Sequence, residues 1–236
     1  MGQRVRLDRP VVALYLALVS VGACKPSIAP VVPVNAEAVT LDSVPAWTAG
    51  TAPQWRILHR FKWLYHDERS SIGGRGSVRI AAPDSLRFDV AGPLGANPAA
   101  AMVVGDSAIW IDATESIRNI VPSYPLLWAG FGVVHPPAGA TVLWAGRAGG
   151  VVAWRMAVGL DTLDYALTRA PPRRLLAELR HAGTMVARME AALTPEGRPA
   201  SARLLVPARP SRLDLTFTLS DPSARFPADV WHPRHP

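Results

Sequence analysis

The chain has 236 residues, of which 49% are hydrophobic, with a formal net charge of +7 and a single cysteine. One cysteine excludes an intramolecular disulfide, so a folded domain must be stabilised by its own apolar core. A basic surface could steer a protein to anionic lipid headgroups or to nucleic acid, but the arginines are scattered along the chain, which favours an ordinary solvated basic surface.

Residues 1–23 have the order of a secretory signal peptide. Arg4, Arg6 and Arg9 precede an apolar run, Val11 to Val21, which at 11 residues is about half the length needed to cross a bilayer. The tetrapeptide Val21-Gly22-Ala23-Cys24 resembles the lipobox of bacterial lipoproteins, which implies that Cys24 carries a diacylglyceryl group and begins the mature chain. The alternative is a plain secretory signal cut elsewhere, with Cys24 an incidental thiol.

The next segment, residues 24–53, is rich in proline, valine and alanine and has no sustained strand or helix period. Proline-rich segments favour extended conformations, so we expect a mobile tether that ends in a lipid anchor. The folded domain is then predicted over residues 54–222, with a C-terminal tail at 223–236. No later segment approaches 18 consecutive apolar residues.

Short strands separated by turns are predicted for the first half of the domain. Apolar and polar residues alternate from Ile57 to His66, the period of a half-buried strand. A turn is predicted at Gly73–Gly76 and another at Pro83–Asp84. Further strands are predicted at residues 77–81, 86–90, 99–104 and 108–111, a pattern that favours an antiparallel meander.

Residues 114–137 lose this alternation and are too apolar to be exposed, so they predict one or two short helices and loops. Alternation returns at 151–158, 202–206 and 213–219. The stretch from Leu175 to Leu193 suits either an amphipathic helix or a hairpin, and Gly183 in its middle favours the hairpin because glycine costs a helix about 1 kcal/mol.

The sequence offers no catalytic constellation, and we therefore expect no enzyme activity, no cofactor and no metal site. There is no Gly-x-Ser-x-Gly elbow, phosphate-binding glycine loop or His-x-x-x-His spacing. His59 and His66 lie on opposite faces of the first predicted strand. The eight tryptophans and many aliphatic residues are the dominant feature, and an ordinary packed core would account for them.

One motif, Pro83 to Gly95, is more specific: its sequence PDSLRFDVAGPLG, leading into Met102-Val103-Val104, resembles the outer-membrane lipoprotein receptor LolB. The tryptophan-glycine elements at 127–132 and 143–146, and the turn at Pro195 to Pro199, fit the same family. The resemblance covers about residues 55–220.

This resemblance implies a mainly β fold, an unclosed antiparallel half-barrel with short plug helices that enclose an apolar cavity for acyl chains. It implies that Leu94, in the loop after the third strand, helps deliver cargo into the membrane; the alternative is a buried residue in a type II turn. The residues expected to line the cavity are Phe61, Trp63, Phe88, Trp110, Leu127, Trp128, Phe131 and Trp144.

The implied partners are acyl chains of lipoproteins or lipids, a soluble periplasmic lipoprotein carrier as donor, and the membrane that holds the N-terminal lipid, with no nucleic acid. The protein is expected to be a monomer. Placement on the periplasmic face of the outer membrane is expected because Lys25 follows Cys24, where an aspartate would resemble an inner-membrane retention signal. Two alternatives stay open: a relative with another lipid cargo, and a scaffold lipoprotein whose barrel is filled by its own side chains.

Overall fold

The computed structural model describes residues 29–54, 56–96, 98–105, 107–112 and 121–231. The predicted signal peptide and Cys24 lie outside the described residues, so their roles stay predictions. The described helices are α1 (Ser43–Ala49) and α2 (Tyr124–Gly130). The described strands are β1 (Glu37–Ala38), β2 (Ile57–His66), β3 (Ser71–Ala81), β4 (Ser85–Ala91), β5 (Ala99–Val104), β6 (Ser107–Asp112), β7 (Thr141–Ala148), β8 (Val151–Val158), β9 (Asp161–Thr168), β10 (Arg174–His181), β11 (Thr184–Leu193), β12 (Pro199–Val206) and β13 (Ser211–Asp221).

The strands form one 13-stranded sheet in which every described pairing is antiparallel. Two meanders, β2–β6 and β7–β13, are joined where β13 pairs with β2. The sheet runs from β1 at one edge to β6 at the other, and these two edges do not pair with each other within the described chain. The predicted mainly β fold, an unclosed half-barrel with short helices, is confirmed.

Strand β2 shows how the sequence produces the sheet. His59 and Phe61 are buried while Arg60 and Lys62 between them are exposed, as a period of two requires. The ambiguous stretch at 175–193 is a hairpin of β10 and β11, whose turn places Ala182 at φ 46° and Gly183 at φ 82°. Glycine adopts the left-handed region without steric cost, which explains why Gly183 marks a turn here.

The turn predicted at Gly73–Gly76 is wrong, because these glycines lie inside β3. A β-carbon at Gly76 would come within 2.5 Å of the Phe61 ring, and one at Gly74 would come within 2.8 Å of the Trp63 ring. The aromatic rings of β2 therefore lie across the backbone of β3. Glycine is needed at these positions for close approach and not for a turn.

The segment that composition predicts as an extended tether packs against the sheet from Val31 onwards. Strand β1 pairs with β7, and α1 buries Val44 and Trp47. The Trp47 ring lies 5.8 Å from that of Trp154, and the Arg147 guanidinium lies 5.4 Å from the Trp47 ring centre. Burial of the large Trp47 side chain stabilises the folded form of this segment, although the proline-rich composition around it favours an extended chain.

The convex face of β8–β11 carries a row of ion pairs. Arg155 binds Asp164 through two hydrogen bonds of 2.6 and 2.7 Å, and Arg188 pairs with Glu178. Arg180 also pairs with Glu178, at 2.6 Å. Asp164, Glu178 and Arg188 are all buried, which is tolerated because each has a charged partner.

The predicted C-terminal tail is partly folded. Its described part ends in a 3-10 turn at Ala228–Trp231, and Arg87 on β4 donates a 3.0 Å hydrogen bond to the Val230 carbonyl oxygen. Among the described residues, no helix is long and apolar enough to cross a membrane.

Candidate functional site

The concave face of the sheet carries a cluster of four phenylalanines. Phe61 on β2, Phe88 on β4 and Phe217 on β13 point to the same side, and Phe131, just after α2, packs among them. The ring centres of Phe61 and Phe88 are 5.5 Å apart, and Phe131 lies 5.9 to 6.3 Å from the other three. None of the four carries a polar atom on its side chain, so the cluster itself is apolar.

Helix α2 plugs the concave face. Its residues Leu126, Leu127, Trp128 and Ala129 are all buried, so the helix is covered on every side. It lies against β10, β11 and β12, and Gly130 at its end allows the Met189 side chain to approach. A helix that is apolar all round is a core helix, and this one lies between the sheet and the connections around it.

Polar aromatic side chains are grouped in another part of the interior. Trp154 on β8 stacks on Tyr165 on β9 at 5.4 Å, and Trp128 stacks on His135 at 5.2 Å. The indole N–H groups of Trp128 and Trp154 and the hydroxyl of Tyr165 are buried without a hydrogen-bond partner among the described residues. Burial raises the pKa of Tyr165, and the neighbouring Tyr124 adds to this. Each unpaired donor costs about 1–3 kcal/mol, and such groups are few in native proteins.

A cavity of about 210 Å³ opens at one end of the concave face, which we call the mouth. It lies between the segment after α1, the start of β2, residues 131–133 and the turn at 196–199. Phe131 lines it on the inner side and Arg173 and Arg198 line it on the outer side. The mouth therefore joins a cationic rim to the phenylalanine cluster.

His59 is the buried titratable group of the mouth. Its Nδ1 lies 2.8 Å from the Ser220 hydroxyl, and its ring packs edge-on against Phe217 at 5.7 Å. Burial lowers the pKa of His59 to about 4, and the positive charge of Arg198 contributes to this. The ring is neutral at neutral pH and serves as a polar wall without charge.

The structure brings five of the predicted lining residues into one core: Phe61, Phe88, Leu127, Trp128 and Phe131. Of these, Phe131 lines the mouth cavity itself. The other four pack against one another and against the sheet. Their role as the wall of an acyl-chain cavity stays a prediction.

The remaining predicted lining residues are less buried or lie elsewhere. Trp63 is partly buried and packs against the same core, and its indole N–H lies 3.2 Å from the carbonyl oxygens of both Arg75 and Ala91. Trp144 is separated from the main core and packs with Val31, because a bulge between Val142 and Trp144 breaks the register of β7. The backbone of Trp110 lies in β6, and its side chain lies outside the described part of the chain.

Leu94 lies at the tip of a 3-10 turn, Pro93–Gly95, between β4 and β5. Its side chain is fully exposed, and its backbone has a φ of 55°, which a non-glycine residue adopts only at a cost. Hydrogen bonds from Gly92 to Ala96, 2.7 Å, and from Gly95 to Gly92, 3.1 Å, close the turn beneath it. The alternative of a buried leucine is therefore wrong.

Sequence reasoning missed Trp47, Tyr165 and the arginines of the mouth. The spacing of Val44 and Trp47, three residues apart, is a weak signal for a short helix. Arg173 and Arg198 belong to separate connections and meet only in the fold. No cluster of histidine, cysteine, aspartate or glutamate that could hold a metal is present in the described residues.

Comparison with known proteins gives no match to a family model and no match to a curated protein. Solved structures do match. A LolA superfamily protein from Nitrosomonas europaea aligns over 82% of this chain and 98% of its own, with a TM-score of 0.53 and 11% identity. This chain shares the fold of that LolA superfamily protein.

Two further structures align at lower similarity to this LolA-like fold. An outer membrane lipoprotein-sorting protein domain from Vibrio parahaemolyticus has a TM-score of 0.48, 7% identity, and coverage of 80% of this chain and 95% of its own. A DUF1329 family protein from Desulfovibrio piger has the same TM-score and coverages, with 5% identity.

Proposed function

We propose that this chain is a lipid-anchored carrier that binds acyl chains non-covalently in its half-barrel. It accepts acylated lipoproteins from a soluble periplasmic carrier and passes them to the outer membrane. The observation that supports this most directly is the LolA-like half-barrel whose apolar concave face is covered by the seven-residue helix α2.

Binding of an acyl chain requires α2 to move. The mouth cavity is about 210 Å³, below the roughly 300–1,000 Å³ of ordinary ligand pockets. An acyl chain that replaced α2 would contact the concave face of β10, β11 and β12, and displacement of the adjoining Phe131 would also uncover Phe61, Phe88 and Phe217. Contact with such a surface stabilises the complex by about 25 cal/mol per Å² of buried apolar area, and this binding is reversible because it needs no directed bond.

Leu94 supports the delivery step. A fully exposed leucine on a strained turn has no role in the packing of the fold. Insertion of this side chain into a bilayer surface would remove its apolar area from water. The turn would then lie at the membrane when cargo leaves.

The anchor is proposed at Cys24. Diacylation there gives membrane attachment without a protein helix, at about 0.8 kcal/mol per buried methylene. Lys25 in the second position supports placement in the outer membrane by analogy with lipoprotein sorting.

A first experiment identifies bound lipid. A chain that begins at Lys25 contains the whole compact unit from Val31 onwards, and mass spectrometry of lipids that co-purify with it should detect acyl species. The matched cellular experiment is depletion of this protein. We expect depleted cells to mislocalise their outer-membrane lipoproteins. Unchanged localisation, together with purified protein that carries no lipid, would refute the proposal.

A scaffold lipoprotein without ligand is the second candidate, and one observation favours it. The interior is filled by the protein's own side chains, with Trp128, Trp154 and Tyr165 fully buried. The two candidates differ in whether α2 opens. Hydrogen exchange separates them, because a carrier should exchange the amides of α2 faster than those of β10 and β11, whereas a scaffold should protect all three alike.

A further inference from the structure

Two arginines on the rim of the mouth lack a close anionic partner. Arg198 is exposed and forms no ion pair within 4 Å among the described residues, and the Nε of Arg173 is buried without a hydrogen-bond partner there. Arg173 is held in place by a 2.6 Å hydrogen bond from its Nη1 to the Pro195 carbonyl oxygen. The two guanidinium groups therefore face the same cavity with unused donors.

Glu196 is the acidic residue that lines the same cavity, and it does not neutralise the rim. Its carboxylate accepts a hydrogen bond from Thr194, which together with backbone hydrogen bonding and the two arginines holds its pKa below the usual range. Neither guanidinium approaches it within 4 Å among the described ion pairs. The rim thus carries two positive charges against one negative charge.

Apart from the neutral His59 ring, the inner wall of the same cavity is apolar. Phe131 separates the mouth from Phe61, Phe88 and Phe217. A ligand that fills the cavity and extends inward must be anionic at one end and apolar at the other. An acylated cysteine does not meet this description, because its linkages are uncharged or cationic.

We infer that the mouth binds the phosphate group of an anionic amphiphile whose acyl chain passes Phe131 into the half-barrel. The planar forks of two guanidinium groups match phosphate oxygens with charge-assisted hydrogen bonds. This inference rests on the acyl-chain binding proposed above, and it adds anionic phospholipids to the ligands of the carrier.

The test compares three probes on the chain that begins at Lys25: palmitoyl-lysophosphatidylglycerol below its micelle concentration, monopalmitoylglycerol, and inorganic phosphate. The first two share one acyl chain and differ in the anionic phosphoglycerol headgroup. We expect titration calorimetry to give about tenfold tighter binding of the lysophospholipid than of monopalmitoylglycerol, with a preference that falls as salt is raised.

Variants test whether the two arginines cause the preference for the lysophospholipid. R173A and R198A should each abolish it, and R173K should keep part of it because lysine retains the charge but loses the fork. E196Q should increase the preference about two- to fivefold by removing the competing carboxylate. R60A is the matched control, since Arg60 is exposed on the opposite side of β2 from His59 and should change nothing. Thermal unfolding of each variant separates loss of binding from loss of the fold.

The outcomes are distinguishable. Equal affinity for the two acyl probes would overturn the inference while leaving acyl-chain binding intact, and so would a preference that survives both arginine-to-alanine variants. Binding of inorganic phosphate with neither amphiphile would reduce the mouth to a simple anion site. Absence of binding by all three probes would overturn the carrier proposal as well.

Discussion

A disulfide between α2 and β12 should lock the carrier closed. A β-carbon placed on Gly130 lies 3.9 Å from the β-carbon of Ala202, inside the range of about 3.5–4.5 Å seen in disulfides. The flexible end of Met189, 3.0 Å from the same position, can move aside. Because Cys24 is the single natural cysteine, a chain that begins at Lys25 and carries G130C and A202C has these two thiols alone.

The expected stabilisation by this disulfide depends on the length of chain that it encloses. A cross-link that closes a loop of about 70 residues stabilises the fold by roughly 4 kcal/mol through the unfolded chain. Two added sulfur atoms in a filled interior oppose this by about 1–3 kcal/mol. We therefore expect the oxidised form to unfold at a higher temperature than the reduced form, by roughly 2–4 °C for each net kcal/mol.

Binding of palmitoyl-lysophosphatidylglycerol is then measured on the oxidised protein and on the same sample after reduction. The oxidised form should not bind, and reduction should restore affinity, so each sample is its own control. G130C alone controls for the added side chain. Equal binding in the two redox states would show that ligand enters without movement of α2, and would refute the plug mechanism.

Four further outcomes are expected. Acid should destabilise the fold through His59, because its folded pKa of about 4 lies below its unfolded value of 6.5. The neutral ring therefore contributes about 3 kcal/mol of stability above pH 6.5, which is lost as the pH falls to 4. Urea unfolding of the wild type and of His59→Gln at several pH values measures this loss, and the same pH slope in both proteins would contradict it. Tyr165→Phe removes an unpaired buried hydroxyl and should raise the free energy of unfolding by about 1 kcal/mol, whereas a loss of similar size would reveal a bound water. Glu178→Ala should lower it by about 3–5 kcal/mol because two guanidinium groups lose a buried carboxylate, against less than about 1 kcal/mol for the exposed control Glu190→Ala. Leu94→Glu should leave unfolding unchanged within about 0.5 kcal/mol while it stops lipoprotein delivery in cells, and normal delivery would exclude the proposed role of the turn.

The local sequence pattern was sufficient to predict a strand with one buried face and to predict a turn that needs glycine. The alternation from Ile57 to His66 predicts β2 to the residue, and Gly183 predicts the hairpin of β10 and β11. The same reasoning failed at Gly73–Gly76, where glycine makes room for aromatic rings of the neighbouring strand. A sequence does not reveal which strand will be the neighbour, so a turn and a close approach look alike.

The site was less predictable than the fold for the same reason. Phe61 and Phe131 could be predicted as interior residues from their setting, but the mouth depends on Arg173 and Arg198, which come from two separate connections. Trp47 could not be predicted from the proline-rich segment, because a helix of seven residues is too short to show a hydrophobic period. Each of these positions depends on contacts between segments that are far apart in the sequence.

The four clustered phenylalanines and the buried tryptophans lie in different parts of the interior, so tryptophan fluorescence can report on the position of α2. Indole fluorescence in the core comes from Trp47, Trp128 and Trp154, and Trp128 is carried by α2 itself. A ligand that stays in the mouth contacts Phe131 and leaves these indoles undisturbed. Withdrawal of α2 would instead carry Trp128 away from His135, so emission from that residue would distinguish docking of a ligand from opening of the barrel.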